Sequence, residues 1–324
     1  MLNMMTRLAV TTGCLILVHM GSAFAQEKVK VAIGQGIPFD TAFPIAAVKA
    51  GIFKKHGLDV EVLTTNGGGE TLQAVISGSV DVGIAAGLTG VLGAFGKGAP
   101  LRVISAEGTG MNESFVYVPA SSPIKSMSEA DGKVVAFSTV GASTYSLVTG
   151  IADHYKVKPK FVATGSIPAT YATTMSGQVD IGWGAVPFGL QEMRDGKIRI
   201  LAWGDQAADI ANQTMRVNIV NARVLEERKE MLRKFMNAYY EAWDWAYASP
   251  EAVKIIAETF SIAPDIIEEV RTKYTTRALT QLGEIKNLQQ TIKDAVEFKY
   301  LSAPLTGEQQ RNLFQLDAVR PVGK

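Results

Sequence analysis

The chain contains an internal duplication, and this feature limits the folds it can adopt more than any other. The segment TLQAVISGSVDVG at Thr71–Gly83 recurs 99 residues later as TYATTMSGQVDIG at Thr170–Gly182, with Thr, Ser-Gly, Val-Asp and Gly at identical spacing. The flanking segments follow in the same order in both copies. Because two copies are too few for a solenoid, the duplication predicts two lobes of one architecture.

Each copy alternates strand, helix, strand, helix and strand. The strands are short, apolar and rich in Val and Ile, which is typical of a buried parallel sheet and predicts an α/β fold class. The matching strand pairs are 29–34 with 133–138 and 60–65 with 160–165. Helices are predicted at Pro44–His56, Tyr145–Tyr155, Leu225–Ala248, Pro250–Phe260, Pro264–Thr272, Leu282–Tyr300 and Thr306–Leu316.

The repeated segments also predict where helices end. Ser77-Gly78 and Ser176-Gly177 are placed as helix C-termini, since Gly accepts the left-handed conformation. Asp81 and Asp180 then begin the next strand in each copy. Paired acids can serve catalysis, but at the amino end of a strand we expect a structural role.

The first 25 residues have the pattern of a cleavable signal peptide. Arg7 precedes the apolar run Leu8–Met20, and Ala23-Phe24-Ala25 matches the small residues that signal peptidase reads. A short membrane anchor is the alternative, but the run is too short to span a bilayer. Cleavage after Ala25 predicts an exported, periplasmic protein and removes Cys14.

The remaining 299 residues carry 31 basic and 31 acidic side chains and no cysteine. The balanced charge argues against a nucleic-acid partner. Without cysteine, the mature chain has no thiol nucleophile, iron–sulfur cluster or Cys-ligated zinc. No cofactor is predicted.

Ligands of open parallel α/β sheets bind beyond the carboxyl ends of the strands, so those loops are the places to search for a site. Two of them, 66–69 and 139–144, are rich in Gly, Ser and Thr ahead of a helix. Backbone N–H groups at such helix N-termini attract anions. Simple capping and tight turns are the alternative for these loops.

Side chains in or near these loops suggest further contacts. Trp183 stands where the first copy has Ile84, and could stack on a ligand or form a wall of the sheet. Arg216 is the best candidate for a cation near the lobe junction, or else a surface residue. Glu70 could cap its own helix or accept a ligand N–H or O–H.

Enzymatic and nucleotide motifs are incomplete. Phe39 occupies the third glycine position of a dinucleotide fingerprint that begins at Gly34-x-Gly36. His56 and His154 are the only histidines after residue 25, and neither belongs to a recognisable catalytic or metal-binding motif.

Four segments together resemble a known family. They are Ala47–Glu61 with its Gly-Ile-Phe and Gly-Leu-Asp-Val pattern, Ser77–Gly83, Ala130–Ala136 and Ser176–Trp183. This order resembles the periplasmic solute-binding proteins of ABC importers for taurine, aliphatic sulfonates, nitrate and thiamine-pyrimidine precursors. The resemblance covers about residues 28–260.

The resemblance implies a type II periplasmic-binding-protein fold, two α/β lobes joined by two crossover strands. Residues 26–118 and 215–324 would form lobe 1, and residues 119–214 lobe 2. A monomer would close on a small organic anion and deliver it to an inner-membrane ABC permease. The anion would be an aliphatic or aromatic sulfonate or carboxylate. The expected ligand-binding residues are Gly36, Phe39, Gly68, Gly69, Glu70, Gly87, Thr89, Ser138, Gly141, Ser143, Thr144, Trp183, Pro187 and Arg216.

Two other functions remain open at this point. One is a secreted enzyme on the same fold, although eukaryotic pyrimidine-synthesising relatives use a Cys-rich motif that this chain lacks after Ala25. The other is a ligand-sensing partner of a membrane receptor.

Overall fold

The computed structural model describes residues 26–323, so the predicted signal peptide lies outside the described residues. The strands are β1 (Glu27–Gly34), β2 (Leu58–Thr65), β3 (Val82–Gly87), β4 (Leu101–Thr109), β5 (Ser114–Pro119), β6 (Val134–Phe137), β7 (Lys160–Ala163), β8 (Gly182–Ala185), β9 (Ile198–Trp203) and β10 (Thr214–Asn221). The helices are α1 (Phe39–Lys49), α2 (Ile52–Lys55), α3 (Gly68–Ile76), α4 (Leu88–Gly96), α5 (Ser143–Tyr155), α6 (Ile167–Met175), α7 (Leu190–Arg194), α8 (Ala208–Ala211), α9 (Ala222–Glu227), α10 (Lys229–Ala248), α11 (Pro250–Phe260), α12 (Pro264–Glu269), α13 (Leu288–Glu297) and α14 (Gly307–Leu313). None of the helices in residues 26–323 combines the length and apolar character needed to cross a bilayer.

The strands form two sheets with equivalent orders. Lobe 1 has the order β2-β1-β3-β10-β4, with β10 antiparallel to both of its neighbours. In lobe 2, β7 pairs with β6, a bridge from Val135 to Ile181 joins β6 to the start of β8, and β8 pairs with β5 and β5 with β9. The chain therefore crosses between lobes twice, from β4 to β5 and from β9 to β10.

The sheet pairing refines the lobe boundaries. The sequence-based division ends the first part of lobe 1 after Val118, but β5 is hydrogen-bonded to β8 and β9 of lobe 2. We therefore draw this boundary before Ser114. The return before Met215 lies one residue inside β10.

The lobe 1 sheet is buried on both faces except at its edge strand β2, as the continuous apolar character of the inner strands requires. Val31 and Ile33 face a core shared with α1 and α10. Ala32, between them, faces a separate core that includes Leu72 of α3 and Ile292 of α13.

The duplicated sequence makes duplicated contacts. Asp81 Oδ2 accepts a hydrogen bond from the Lys30 amide at 2.8 Å, and Asp180 Oδ2 accepts one from the Val134 amide at 2.8 Å. Each carboxylate thus ties the start of its own strand to a neighbouring parallel strand, which is the structural role expected for the Val-Asp pairs. Gly78 and Gly177, just beyond α3 and α6, both have positive φ, as predicted for helix ends.

Several predicted helix bounds were wrong. The first helix begins at Phe39 rather than Pro44, and it is interrupted at Gly51, where φ is +76°. Of the predicted helix Leu282–Tyr300, only α13 is helical, since Asn287 adopts the left-handed conformation immediately before it.

Candidate functional site

A cavity lies between the two lobes, at the carboxyl ends of their parallel strands. Its volume is about 50 Å³, and one water molecule needs roughly 10–15 Å³ on this measure. The cavity therefore has room for a compact ligand. We call this space the interlobe cavity; it is lined by Gly34, Gln35, Pro38, Asp40, Thr41, Gly67, Gly68, Ala85, Met111, Glu113, Ser114, Ser138, Ala142, Ser143, Thr144, Trp183, Ala185 and Arg216.

Three helices begin at this cavity. The N-cap residues of α1, α3 and α5 are Pro38, Gly67 and Ala142, and all three line it. None of them makes a side-chain capping hydrogen bond. Because the first N–H groups of a helix have no partner within the helix, both lobes present donors and positive dipole ends here.

A buried ion-pair group lies on one side of the interlobe cavity. Arg216 Nε of β10 is 2.9 Å from Asp40 Oδ2 in the first turn of α1. Arg216 Nη1 donates to Glu113 Oε1, before β5, at 2.6 Å. The three side chains are 11%, 2% and 5% exposed. Arg216 therefore joins lobe 1 to the start of the crossover, and two carboxyl groups face one guanidinium.

A third buried acid, Glu107, lies behind this group. Glu107 Oε2 accepts a 2.6 Å hydrogen bond from Asn218 Nδ2, which also donates to Ser105 Oγ at 2.9 Å. Burial, and then the charge of Asp40, raise the pKa of Glu107 to about 8. Burial likewise raises the pKa of Asp40, against the opposing effect of Arg216. Glu107 is consequently protonated near neutral pH.

Trp183 supplies an aromatic wall with an unused donor. The residue is 2% exposed, lies in β8 and lines the interlobe cavity. Its Nε1 has no hydrogen-bond partner among residues 26–323. Because an indole N–H can only donate and is costly to bury unpaired, a ligand acceptor would satisfy it.

Direct hydrogen bonds hold the two lobes together beside the cavity. Gln35 Oε1 accepts from the Ile167 amide of lobe 2 at 3.0 Å. In the opposite direction, the Gly69 amide of α3 donates to Thr139 Oγ1 at 3.2 Å. These contacts describe a closed conformation.

The lobes also meet backbone to backbone. A Cβ placed on Gly69 would lie 2.1 Å from the Val140 carbonyl oxygen. One placed on Gly87 would lie 2.6 Å from the Ser143 amide nitrogen. No side chain larger than hydrogen fits at either position in the closed form.

The structure brings six of the sequence-predicted site residues to the interlobe cavity. They are Gly68, Ser138, Ser143, Thr144, Trp183 and Arg216. Four others lie where the two lobes contact each other, outside the cavity lining: Gly69, Gly87, Thr89 and Gly141. Thr89 Oγ1 is 3.4 Å from Ser146 Oγ, and Gly141 packs against Gly90.

The last four predicted residues also lie outside the cavity lining. Phe39 is 1% exposed and packs into the lobe 1 core, because α1 starts there and turns its ring inward. Gly36 makes a positive-φ turn. Glu70 accepts from the Asn66 amide at 3.0 Å, which is the helix-end role left open above. Pro187 is buried beyond β8.

Sequence reasoning missed Asp40, Glu113 and Gln35 as lining residues. All three lie in or beside loops that the carboxyl-end rule selects. The available signal was a lone Asp in the apolar run GIPFDTAF, since a charged group amid apolar residues is rarely buried without a partner.

The two histidines among the described residues lie away from the interlobe cavity. His56 Nε2 pairs with Glu241 Oε2 at 2.7 Å, and His154 lies beside Tyr155, so neither faces the interlobe cavity. Residues 26–323 contain no cluster of His, Asp and Glu placed to hold a metal ion.

Comparison with known proteins places these features in a wider group. A family model described as NMT1/THI5 like matches residues 39–253. Two curated relatives from Saccharomyces cerevisiae, the 4-amino-5-hydroxymethyl-2-methylpyrimidine phosphate synthases THI13 and THI5, are each 24% identical over 264 residues. These alignments cover 75% of this chain and 73% of each relative.

Solved structures share the fold. The alkanesulfonate-binding protein SsuA from Xanthomonas axonopodis pv. citri, bound to MOPS, matches with a TM-score of 0.70 and 18% identity, over 88% of this chain and 94% of that one. The nitrate-binding protein NrtA from Synechocystis matches with a TM-score of 0.67 and 15% identity, over 90% and 86%. At these identities the likeness establishes the two-lobed periplasmic-binding-protein fold, which confirms the predicted fold class.

Proposed function

The chain belongs to the NMT1/THI5-like family, and we propose that it is a periplasmic solute-binding protein of an ABC importer. In this proposal it captures a small organic acid, a sulfonate or a carboxylate, between its two lobes. The observation that carries the proposal is the convergence on one buried cavity of three helix N-termini, two from lobe 1 and one from lobe 2, whose N-cap residues provide no side-chain cap.

Binding and closure are coupled because neither lobe contains the whole site. A ligand that bridges α3 and α5 favours the closed form by its contacts to both, so it shifts the population toward closure. The two strand crossovers are where the lobes hinge.

The acid group of the ligand is best served by backbone donors. Arg216 is already shared by two carboxyl groups, so it has little positive charge to offer. Ser143 and Thr144 in the first turn of α5 line the cavity, and this helix N-terminus has the dipole orientation that favours an anion. Trp183 would cover the apolar body of the ligand.

Delivery follows from the same assignment. The closed monomer would dock on an inner-membrane permease after export directed by residues 1–25, and nucleic acid would not be a partner.

A calorimetric screen tests the function. The protein, freed of co-purified solute, would be titrated with sulfonates, carboxylates and pyrimidines. We expect at least one acid to bind with a Kd of about micromolar or tighter. Absence of any ligand in the screen would overturn the proposal. Trp183→Ala should weaken binding about tenfold or more. Trp243→Ala, which removes a half-buried lobe 1 indole beside Arg277 and outside the cavity lining, should not.

The names of the yeast relatives favour one alternative, an enzyme on the same fold. Mass spectrometry of the ligand before and after long incubation separates the two. A binding protein returns the ligand unchanged, and accumulation of a product would replace the transport assignment with an enzymatic one.

A further inference from the structure

The interlobe cavity has more acid than base. Its lining includes two carboxyl groups, from Asp40 and Glu113, and one guanidinium, from Arg216. All three side chains are nearly buried. With both carboxyl groups ionised, the cavity has an excess of one negative charge, which an anion without any donor group would leave uncompensated.

Asp40 is the carboxyl group with unmet hydrogen-bonding capacity. Its contact with Arg216 Nε is an ion pair, and the nearby backbone amides of Asp40 and Thr41 favour its charged form. Neither carboxylate oxygen has an aligned hydrogen bond to any residue in the range 26–323. By contrast, Glu113 Oε1 accepts from both Arg216 Nη1 and Ser114 Oγ. A buried acceptor without a donor is costly, so the free position at Asp40 calls for a ligand N–H.

Other groups that line the same cavity have the opposite requirement. Trp183 Nε1 is a buried donor without an acceptor, and the N-termini of α3 and α5 add backbone donors. The cavity is therefore complementary to a ligand with an acceptor-rich group at one end and an N–H donor at the other.

We propose that Asp40 is a specificity-determining residue, which selects solutes that have an amino or ammonium group in addition to their acid group. This inference rests on the proposed function. Arg216 orients the Asp40 carboxylate from one side, and the ligand N–H occupies its other side. Simple anions that offer no N–H meet an uncompensated carboxylate and are discriminated against.

Matched ligand pairs test the selection. The wild-type protein would be titrated with 3-aminopropanoate against propanoate and with 2-aminoethanesulfonate against ethanesulfonate. We expect the amino member to bind at least about tenfold more tightly, as in sites built to pair a ligand N–H. Equal binding within a pair, or tighter binding of the member without nitrogen, would overturn the role of Asp40 and leave the transport function standing. Failure of every acid in the wider screen would overturn both.

A variant assigns the preference to one carboxyl group. Asp40→Asn keeps the side-chain shape and should reduce the preference to about twofold or less. Asp153→Asn, an exposed acid of α5 outside the cavity, should leave it unchanged. A preference that survives in a folded Asp40→Asn protein, with folding checked by thermal melting, would place the selection elsewhere. The wild-type pairs remain decisive if that variant does not fold.

Discussion

Gly90 and Gly141 lie in opposite lobes, and a Cβ placed on Gly90 would come within 2.2 Å of the Gly141 carbonyl oxygen. Gly90 is inside α4, where glycine is a poor helix former. A glycine at this position is explained by the close approach of lobe 2, which leaves no space for a side chain on the helix backbone.

Gly90→Ala should therefore hinder closure without weakening lobe 1. We expect ligand affinity to fall about tenfold or more, because the bound form would need the lobes to separate. The helix itself should gain up to about 1 kcal/mol in stability from the substitution. Small-angle scattering with ligand present would report a larger radius of gyration than for the wild type.

The matched control is Gly283→Ala. A Cβ there meets no atom within 4 Å and the residue has no positive φ, so closure and affinity should stay unchanged. Normal compaction of Gly90→Ala by ligand would contradict the steric account.

Gln35→Asn tests the hydrogen bond between the two lobes. Asn tolerates the positive φ of this position (67°), but its shorter side chain cannot reach the Ile167 amide. We expect ligand to dissociate several-fold faster, consistent with the roughly 1 kcal/mol that a hydrogen bond contributes. Stopped-flow displacement measures the rate. Lys254→Ala, which removes an exposed ion pair with Glu258 within α11 of lobe 1, should change it less than about twofold.

Glu107→Gln should change how stability depends on pH. The ordinary pKa of 4.5 is raised to about 8 in the folded protein, so between these values the folded state holds a proton that the unfolded state releases. Stability must then fall as pH rises from 4.5 to 8, by several kcal/mol at about 1.4 kcal/mol per pKa unit.

Urea denaturation at several pH values between 5 and 9 would measure this dependence. The Gln variant keeps the acceptor for Asn218 but has no proton to lose, so its stability should fall less over the same range. Identical pH profiles for the two proteins would show that Glu107 is ionised near neutral pH.

Asp81→Ala and Asp180→Ala test the structural role of the repeated Val-Asp pairs. Each should lower the free energy of unfolding by about 1–2 kcal/mol, because the hydrogen bond to the neighbouring strand, β1 or β6, is lost. The loss should be larger for Asp81, which also pairs with Arg228. Urea denaturation would give both values. A drop in ligand affinity with unchanged stability would instead indicate a functional role for these acids.

The sequence was most informative where local pattern and local contact coincide. The repeat predicted equivalent strands, the helix ends at Gly78 and Gly177, and the structural use of Asp81 and Asp180. The family resemblance and the two-lobed fold are confirmed by the comparisons.

Contacts between distant residues were beyond that approach. Asp40, Glu113 and Arg216 are far apart in the chain and meet only because the crossovers bring β10 back to lobe 1. Gly69, Gly87 and Gly141 were predicted to contact ligand, and the structure places each of them where the two lobes approach backbone to backbone. A single sequence contains no direct sign of which surfaces meet on closure.

The return of the chain from lobe 2 to the lobe 1 sheet also determines the order in which the two sheets can be completed. Lobe 2 is one continuous stretch, so all of its strands are available once the chain has been made as far as Trp203. Lobe 1 has the earlier strands, yet its sheet has a gap between β3 and β4 until Thr214–Asn221 arrives. Lobe 2 is made second but is the first lobe whose sheet can be completed. The sheet of lobe 1 stays incomplete until β10 has been made.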